Sequence, residues 1–371
     1  MNFMSDTYDI LLKMKNCIKS GSLEISQIPI SDVKECVLSE LQICKKTYID
    51  LQYTQVESIY NDLCGYVNDG EEDITKINMF IDGMLMCLLT VSQAVKSLIN
   101  KDYWMYKHMD RIGDPELCEI IDHIDKRHDV RLLNYDFVDN YRPELYEVRY
   151  DDKCGMVYIP YKGRKMYFPK GWSEMTALDY FCSVISEQNE CSPHCYFKKG
   201  YEVKEGSVIV DVGAAEGLFS LDYIDKAKKV YLIDADMQWI EALRKTFEND
   251  LDKAEIIYGY VGSLNDGKDY ISLDGILCDE KVDFIKMDIE GYEMEALAGA
   301  KKVLTLNRQI TCAICAYHNS NDESRIKAYL SEKGFNNDVS RGYIFPDWIA
   351  GSVLTAELRR GIVFGKKWLE I

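Results

Sequence analysis

VIVDVGAAEG, residues 208–217, reads as an apolar strand that carries an acid near its end and leads into a loop with two glycines. Gly213 predicts close approach of the backbone to a ligand, and Gly217 predicts close packing of the helix that follows it. About twenty residues later the strand VYLID ends in Asp234, where a carboxylate can accept hydrogen bonds from ribose hydroxyls. The two strands together predict a nucleoside-binding turn in an α/β sheet.

The spacing of these two glycines indicates which kind of nucleoside ligand the loop suits. They are four residues apart, which differs from the three-glycine spacing of a dinucleotide fingerprint. The loop therefore disfavours a dinucleotide-dependent oxidoreductase, and the acid Asp211 before Gly213 suits a cationic nucleoside without phosphates. S-adenosylmethionine is such a ligand. The alternative is an ordinary strand-to-helix turn of a doubly wound fold.

Two further strand-like segments end in polar residues. VDFIKMDIEGYE, residues 282–293, carries Asp288 and Glu290, and ITCAICAYH, residues 310–318, ends in His318. Ligands of open parallel sheets bind outside the carboxyl ends of the strands, so we expect Asp288 and His318 to flank one cleft. A neutral imidazole there could act as general base toward a substrate hydroxyl, with Asp288 positioning the substrate or the methionine amine of the cofactor.

The remaining carboxylates of this segment have simpler interpretations. For Glu293 we favour a helix cap, because the helix Tyr292 to Leu304 begins there. Asp288 and Glu290 could chelate a divalent metal, but capping is the favoured alternative and no metal is assigned.

Cys191, His194 and Cys195 could form half of a zinc site, yet no second half is visible in the sequence. Cys312 and Cys315 are interpreted as buried structural thiols.

The order of VDVGAAEG, VYLID, KMDIEGYEMEALAGA and AYH resembles the FkbM family of methyltransferases over roughly residues 190–335. The resemblance implies a class I methyltransferase-like (Rossmann-like), mostly parallel sheet and methylation of an oxygen on a sugar, glycan precursor or secondary metabolite. The chain departs from the family at Ala215, where the family commonly has Asn, and at Asp234-Ala235, where it commonly has a Glu-Pro pair. The implied catalytic positions are His318, Asp288 and Glu290, and the implied cofactor positions are Asp211, Gly213, Ala215, Gly217, Asp234 and Ala235.

The rest of the chain predicts two domains. Apolar residues recur at helical spacing over residues 31–67, 74–98 and 117–124, so residues 1–139 are predicted to be an all-helical N-terminal domain. Its apolar faces could pack internally, recruit substrate or form a homodimer. Residues 140–371 are predicted to be the methyltransferase domain, with a leading β-hairpin segment rich in Tyr and Val between Leu145 and Phe168.

Composition limits the partners. A formal net charge of -18 argues against nucleic acid, since binding through phosphates needs clustered Lys and Arg. No apolar stretch is long enough to span a bilayer, no secretory signal is evident, and the 13 cysteines are scattered, so we expect a cytoplasmic protein with reduced thiols. The expected partner is a small-molecule or carbohydrate acceptor. A catalytically silent module that organises a biosynthetic complex is the alternative function.

Overall fold

The computed structural model describes residues 113–127, 131–266, 268–277, 280–346 and 357–368. The chain divides into two compact units, of which the larger comprises Tyr135–Ile344 and Arg359–Ile371. The described part of the other unit includes helix α1 (Pro115–Arg127), which confirms the helix predicted around residues 117–124. The helices predicted over residues 31–67 and 74–98, with their dimer interface, lie outside the described residues. The domain boundary at residue 140 stays a prediction.

A small antiparallel sheet precedes the central sheet in the larger unit. Its strands are β1 (Arg149–Asp151), β2 (Met156–Tyr161) and β3 (Arg164–Tyr167), joined in that order. The antiparallel pairing of β2 with β3 confirms the predicted hairpin, although burial does not alternate along β2, whose first four residues are all buried. Helix α2 (Glu174–Glu187) follows, capped by the Ser173 hydroxyl, which accepts from the Thr176 backbone N–H at 3.1 Å.

A mostly parallel sheet forms the centre of the larger unit, as predicted. In the described part of the chain its seven strands are β4 (Val208–Val212), β5 (Lys229–Asp234), β6 (Ala254–Tyr258), β9 (Phe284–Met287), β10 (Gln309–Cys315), β11 (Asn336–Val339) and β12 (Ile362–Trp368). They lie in the order β11-β12-β10-β9-β4-β5-β6. Of these seven, β12 alone runs opposite to the others, and it pairs antiparallel with β10 and with β11.

Helices alternate with these strands, as expected of crossover connections in a parallel sheet. They are α3 (Leu218–Tyr223), α4 (Met237–Thr246), α5 (Leu273–Leu277), α6 (Glu293–Ala298), α7 (Lys301–Leu306) and α8 (Asp322–Glu332), and a short pair of strands, β7 (Tyr260–Val261) and β8 (Tyr270–Ile271), lies before α5. The core is apolar residues of the strands packed against these helices. None of the helices in the described ranges is long and apolar enough to cross a membrane.

The single helix predicted from Tyr292 to Leu304 is wrong in one respect. The chain forms two short helices there, α6 and α7, with a break at Gly299 and Ala300. The backbone of Gly299 packs against the carbonyl of Gly262, and a Cβ at Gly299 would lie 2.0 Å from that oxygen. Helical periodicity continues through the break because both helices bury their apolar side chains in the same core.

Candidate active site

The loop between β4 and α3 passes close to the end of β9. Gly213 has φ 76°, and a Cβ added there would lie 1.7 Å from the carbonyl oxygen of Asp288. Glycine is therefore required by the neighbouring backbone as well as by the left-handed conformation. Gly217, with φ 79°, precedes the first turn of α3 and packs against Leu243 of α4. The loop is thus fixed by its contacts with both sides of the sheet.

Asp211 lies beneath this loop and is fully buried. Its Oδ2 accepts from the Ser220 hydroxyl at 2.6 Å, and its Oδ1 lies 3.1 Å from Nζ of Lys286. Lys286 also donates to the carbonyl oxygen of Gly213. Burial lowers the pKa of Lys286, but the charges of Asp211 and Asp288 outweigh it and raise the pKa overall. Among the predicted cofactor residues, the Asp211 side chain therefore points into the core and acts on the loop through Lys286.

Asp234 ends β5 beside the same loop and is partly exposed. Its Oδ2 accepts from the backbone N–H of Ala215 at 2.8 Å and its Oδ1 from that of Asp236 at 2.8 Å. Burial is the main cause of the raised pKa of Asp234. A carboxylate has about four lone-pair sites, so each oxygen can still accept from a ribose hydroxyl. Ala215, with φ 44°, and Ala235 are both partly exposed at this edge.

Asp288 and His318 are brought together as the sequence predicts. Strands β9 and β10 are parallel neighbours, and Nε2 of His318 lies 3.5 Å from Oδ1 of Asp288. Burial alone would raise the pKa of Asp288, but His194, and after it Lys286, hold the pKa well below its usual range. Asp288 is therefore an anion at neutral pH.

His194 and Tyr196 reach the same carboxylate from the opposite side. The Tyr196 hydroxyl donates to Oδ2 of Asp288 at 2.7 Å, and Nε2 of His194 lies 3.5 Å from that oxygen. Sequence reasoning missed this role, because His194 was weighed only with Cys191 and Cys195 as half of a zinc site. The imidazole of His194 lies 3.0 Å from the Tyr317 hydroxyl and 3.4 Å from the carboxylate of Glu187. Burial lowers its pKa, and Glu187 and Asp288 raise it by more.

Two carboxylates after Asp288 face His318 differently. Glu290 has φ 55° and an 80% exposed side chain, with Oε2 3.6 Å from Nε2 of His318. Glu293 is buried, and its Oε1 lies 2.9 Å from Nδ1 of His318. Burial lowers the pKa of His318, but Glu293 and Asp288 raise it to about 9. The imidazole is therefore mostly protonated at neutral pH.

Within the ranges that the structure describes, two groups of side chains are spaced closely enough to hold a metal ion. They are His194, Asp288 and Cys315, and Asp288, Glu293 and His318, with the ligand atoms of each group within 4.8 Å of one another. Each group has other partners within the protein: Tyr196 donates to Asp288, and Glu293 accepts from the backbone N–H of Ile289 at 3.0 Å. The cap predicted for Glu293 is wrong: α6 begins at this residue, and its Oε1 accepts from N–H groups of the preceding loop rather than of the helix. The acid does lie in the first turn, and its contact with His318 was not suggested by the sequence.

An aromatic cluster adjoins the cofactor loop. The rings of Trp172, Tyr180 and Trp239 lie 5.3 Å from one another, between centroids, and all are partly exposed. The Tyr180 hydroxyl donates to Glu216 of the loop at 3.0 Å. Burial is the main cause of the rise in the pKa of Glu216 to about 7. These three rings are called the aromatic wall below, and Tyr180 connects them to the cofactor loop through Glu216.

Residues 264–336 match the family model of the methyltransferase FkbM domain. The matched segment contains Asp288, Glu290 and His318, whereas the loop at Gly213 lies outside it. Over this segment the match confirms the resemblance to the FkbM family that the motifs indicated.

Solved structures similar to the chain were also found. One is precorrin-6y C5,15-methyltransferase from Geobacter metallireducens GS-15, with 10% identity, 46% of this chain and 85% of that chain covered, and a TM-score of 0.32. Another is TYW2 of M. jannaschii in complex with AdoMet, with 14% identity, 57% and 85% covered, and a TM-score of 0.34. A third is a SAM-dependent methyltransferase from Aquifex aeolicus, with 17% identity, 45% and 85% covered, and a TM-score of 0.29. At these sequence identities and TM-scores, the similarity does not indicate which acceptor this protein would methylate.

The residues present at this edge of the sheet fit S-adenosylmethionine. Asp234 is partly exposed and retains acceptor sites for ribose hydroxyls. The charge of Asp288 is offset by its cationic neighbours, but the exposed carboxylate of Glu290 at the neighbouring edge favours a cationic sulfonium. The bound group would supply an electrophilic methyl carbon, and the protein must hold an acceptor atom in line with it.

Proposed function

We propose that this protein is an S-adenosylmethionine-dependent methyltransferase, and that it transfers the methyl group to a hydroxyl oxygen of a sugar, glycan precursor or secondary metabolite with His318 as general base. The observation that carries the proposal is the position of His318 beside Asp288, at the same strand ends as the cofactor loop. The imidazole accepts the hydroxyl proton at Nε2, while the anionic Asp288 orients the acceptor or the amine of the cofactor. We also propose that Gly213, Ala215, Gly217, Asp234 and Ala235 contact the cofactor, and that Asp211 supports them from below.

The proton of the acceptor hydroxyl must reach Nε2 of His318, which lies close to two carboxylates. Both ring nitrogens of His318 are buried and have only charged contacts among the described residues: Nδ1 lies 2.9 Å from Glu293, and the neighbours of Nε2 are Asp288 and Glu290. The Glu290 side chain is mostly exposed, so it can rotate away when an acceptor hydroxyl approaches. Glu290 thus acts as a replaceable neighbour of the base, and the acceptor hydroxyl takes its place.

The protonation state of His318 sets the pH dependence. With a pKa of about 9, the imidazole is the conjugate acid at neutral pH and only a small fraction can accept a proton. The rate limited by this base should rise about tenfold per pH unit up to that pKa. A bound sulfonium cation would favour the neutral imidazole and lower the pKa. The rise should therefore end at a lower pH in the cofactor complex than in the free protein.

The aromatic wall supports a carbohydrate or another flat acceptor. Aromatic faces offer apolar surface of defined shape, on which the C–H face of a sugar ring can pack. Burial is the main cause of the raised pKa of Tyr180, followed by Glu216 and Glu187, and Asp288 makes the smallest contribution. Glu216, with a pKa of about 7, can donate or accept a hydrogen bond near neutral pH. The wall and Asp288 could therefore hold two parts of one acceptor.

The test uses S-adenosylmethionine labelled in the methyl group, with methyl pyranosides and nucleoside diphosphate sugars as probes. Labelled products should survive mild alkali, as methyl ethers do, and His318→Ala should lower kcat by roughly 10² to 10⁴ with the cofactor Kd unchanged. His123→Ala, on α1, is the matched control and should retain wild-type turnover. Alkali-labile products would exclude an ether, and normal turnover of His318→Ala would exclude the base.

The catalytically silent module remains the second candidate, because both oxygens of Asp234 already accept from backbone N–H groups, Oδ2 from Ala215 of the loop and Oδ1 from Asp236 before α4. Calorimetry distinguishes it from an enzyme. Binding of S-adenosylmethionine at micromolar concentration with a stoichiometry of about one supports the methyltransferase, whereas no heat at millimolar concentration supports the silent module. Wild-type protein and Gly213→Ala should be titrated side by side, since the substituted loop cannot adopt the observed backbone.

A further inference from the structure

Glu293 is a buried carboxylate at the start of α6, with an exposed fraction of 1%. A buried charge is costly unless it is paired or receives hydrogen bonds. Its Oε1 accepts from the backbone N–H of Ile289 at 3.0 Å and from that of Gly291 at 3.4 Å. These bonds tie the carboxylate to the loop that carries Asp288 and Glu290.

The same oxygen contacts the imidazole. Oε1 of Glu293 lies 2.9 Å from Nδ1 of His318, whereas Nε2 faces Asp288 at 3.5 Å and Glu290 at 3.6 Å. One carboxylate oxygen thus joins the loop after β9 to the ring after β10. The His318 side chain is 4% exposed, so little room is left for another orientation.

The geometry points to Glu293 as the positioning residue that sets the orientation and the tautomer of His318. This inference rests on the proposed function, in which Nε2 accepts the proton. A carboxylate beside Nδ1 stabilises the N–H at that nitrogen, so the neutral ring carries its lone pair on Nε2. The same carboxylate stabilises the imidazolium that forms when Nε2 takes the hydroxyl proton. In the reaction the acceptor O–H bond breaks, the new N–H bond forms at Nε2, and Glu293 stays an anion.

Other charged groups also face this imidazole. Asp288 and Glu290 approach from the loop after β9, and Asp322 at the start of α8 interacts with it electrostatically. On the opposite side, the Arg359 guanidinium donates to the carbonyl oxygen of His318 at 2.8 Å. Glu293 is the carboxylate nearest to a ring nitrogen among these, so its removal should change the titration of His318 most.

Histidine titration by NMR tests this without knowledge of the acceptor. The full chain is labelled with ¹⁵N and ¹³C in histidine, and the His318 signals are assigned as those lost in His318→Gln. In the wild type we expect a pKa near 9 and, above it, a protonated Nδ1 with an unprotonated Nε2. Glu293→Gln keeps the oxygen that accepts from the loop but removes the charge, so the pKa of His318 should fall by about 1 to 3 pH units.

The control is Glu295→Gln, an exposed acid of the same helix, which should leave the His318 titration unchanged. Glu293→Asp, with the charge kept on a shorter side chain, should restore part of the pKa. Protonation at Nε2 in the wild type, or an unchanged pKa in folded Glu293→Gln, would overturn the inference. Failure of the proposed function is separate, because it would be seen as normal turnover of His318→Ala while these titrations behave as expected.

Discussion

Replacing Lys286 by Met removes the charge that supports the cofactor loop. Lys286 is 5% exposed, lies on β9 opposite Asp211 of β4 in the parallel register, and its Nζ is 3.1 Å from Oδ1 of that residue. Methionine has a similar length and no charge. Asp211 would keep the hydroxyl of Ser220 as a donor, but its charge would stay buried without a cation.

Breaking a buried ion pair by removing one partner costs about 3 to 5 kcal/mol. A domain of this size loses roughly 2 to 4 °C of Tm per kcal/mol, so Lys286→Met should melt about 6 to 20 °C below the wild type. The carbonyl of Gly213 also loses a donor, so the affinity for S-adenosylmethionine should fall. The double variant Asp211→Asn, Lys286→Met has no buried charge at this position and should regain much of the lost stability.

Urea denaturation measures the free energy of unfolding, and calorimetry measures the affinity for S-adenosylmethionine. Lys281→Met is the matched control, since Lys281 pairs with Asp283 at 3.0 Å but is 70% exposed, and an exposed pair contributes at most about 1 kcal/mol. The reasoning is refuted if Lys286→Met unfolds within 1 kcal/mol of the control, or if the double variant is no more stable than the single one.

Three other perturbations follow from the same edge of the sheet. Ala215→Asn should raise the free energy of unfolding by up to about 1 kcal/mol, because Ala215 has φ 44° and Asn tolerates that region better; lower stability in urea would contradict this. The raised pKa of His318 stabilises the folded protein below the unfolded-state pKa of about 6.5, and this contribution disappears above the folded-state pKa of about 9. As the pH rises through this range, the free energy of unfolding of the wild type should therefore fall by roughly 3 kcal/mol relative to that of His318→Gln. Parallel curves of Tm against pH for the two proteins would refute this. Turnover should be insensitive to a chelator such as EDTA, and a loss that Mg²⁺ or Zn²⁺ restores would instead place a metal at Asp288.

The parts of the fold that the sequence predicts are those with a local signal. The apolar strand before Gly213, the acid at the end of β5 and the polar ends of β9 and β10 lie within short segments, and the neighbour rule for parallel strands then brings Asp288 to His318. Gly299 interrupts a helix that periodicity predicts as continuous, because the contact with the carbonyl of Gly262 depends on a segment 37 residues away.

The missed site residues share a different property. His194 and Tyr196 belong to a segment without helix or strand, so no periodicity indicates which way their side chains point. Lys286 interrupts an apolar strand, and its partner Asp211 becomes visible only once β4 and β9 are paired in register. For Glu293 a role at the start of the helix was predicted, but the position of its Oε1 relative to the imidazole of His318 depends on how α6 and β10 pack.

Gly213 has a consequence for how such sequences are compared. Its side-chain position is filled by the backbone oxygen of Asp288, so the sheet itself needs glycine there whether or not any nucleoside binds. A descendant of this chain that had lost its reaction would still be under selection to keep this glycine. After a loss of catalysis, substitutions would accumulate sooner at Glu290, because its side chain is mostly exposed to solvent.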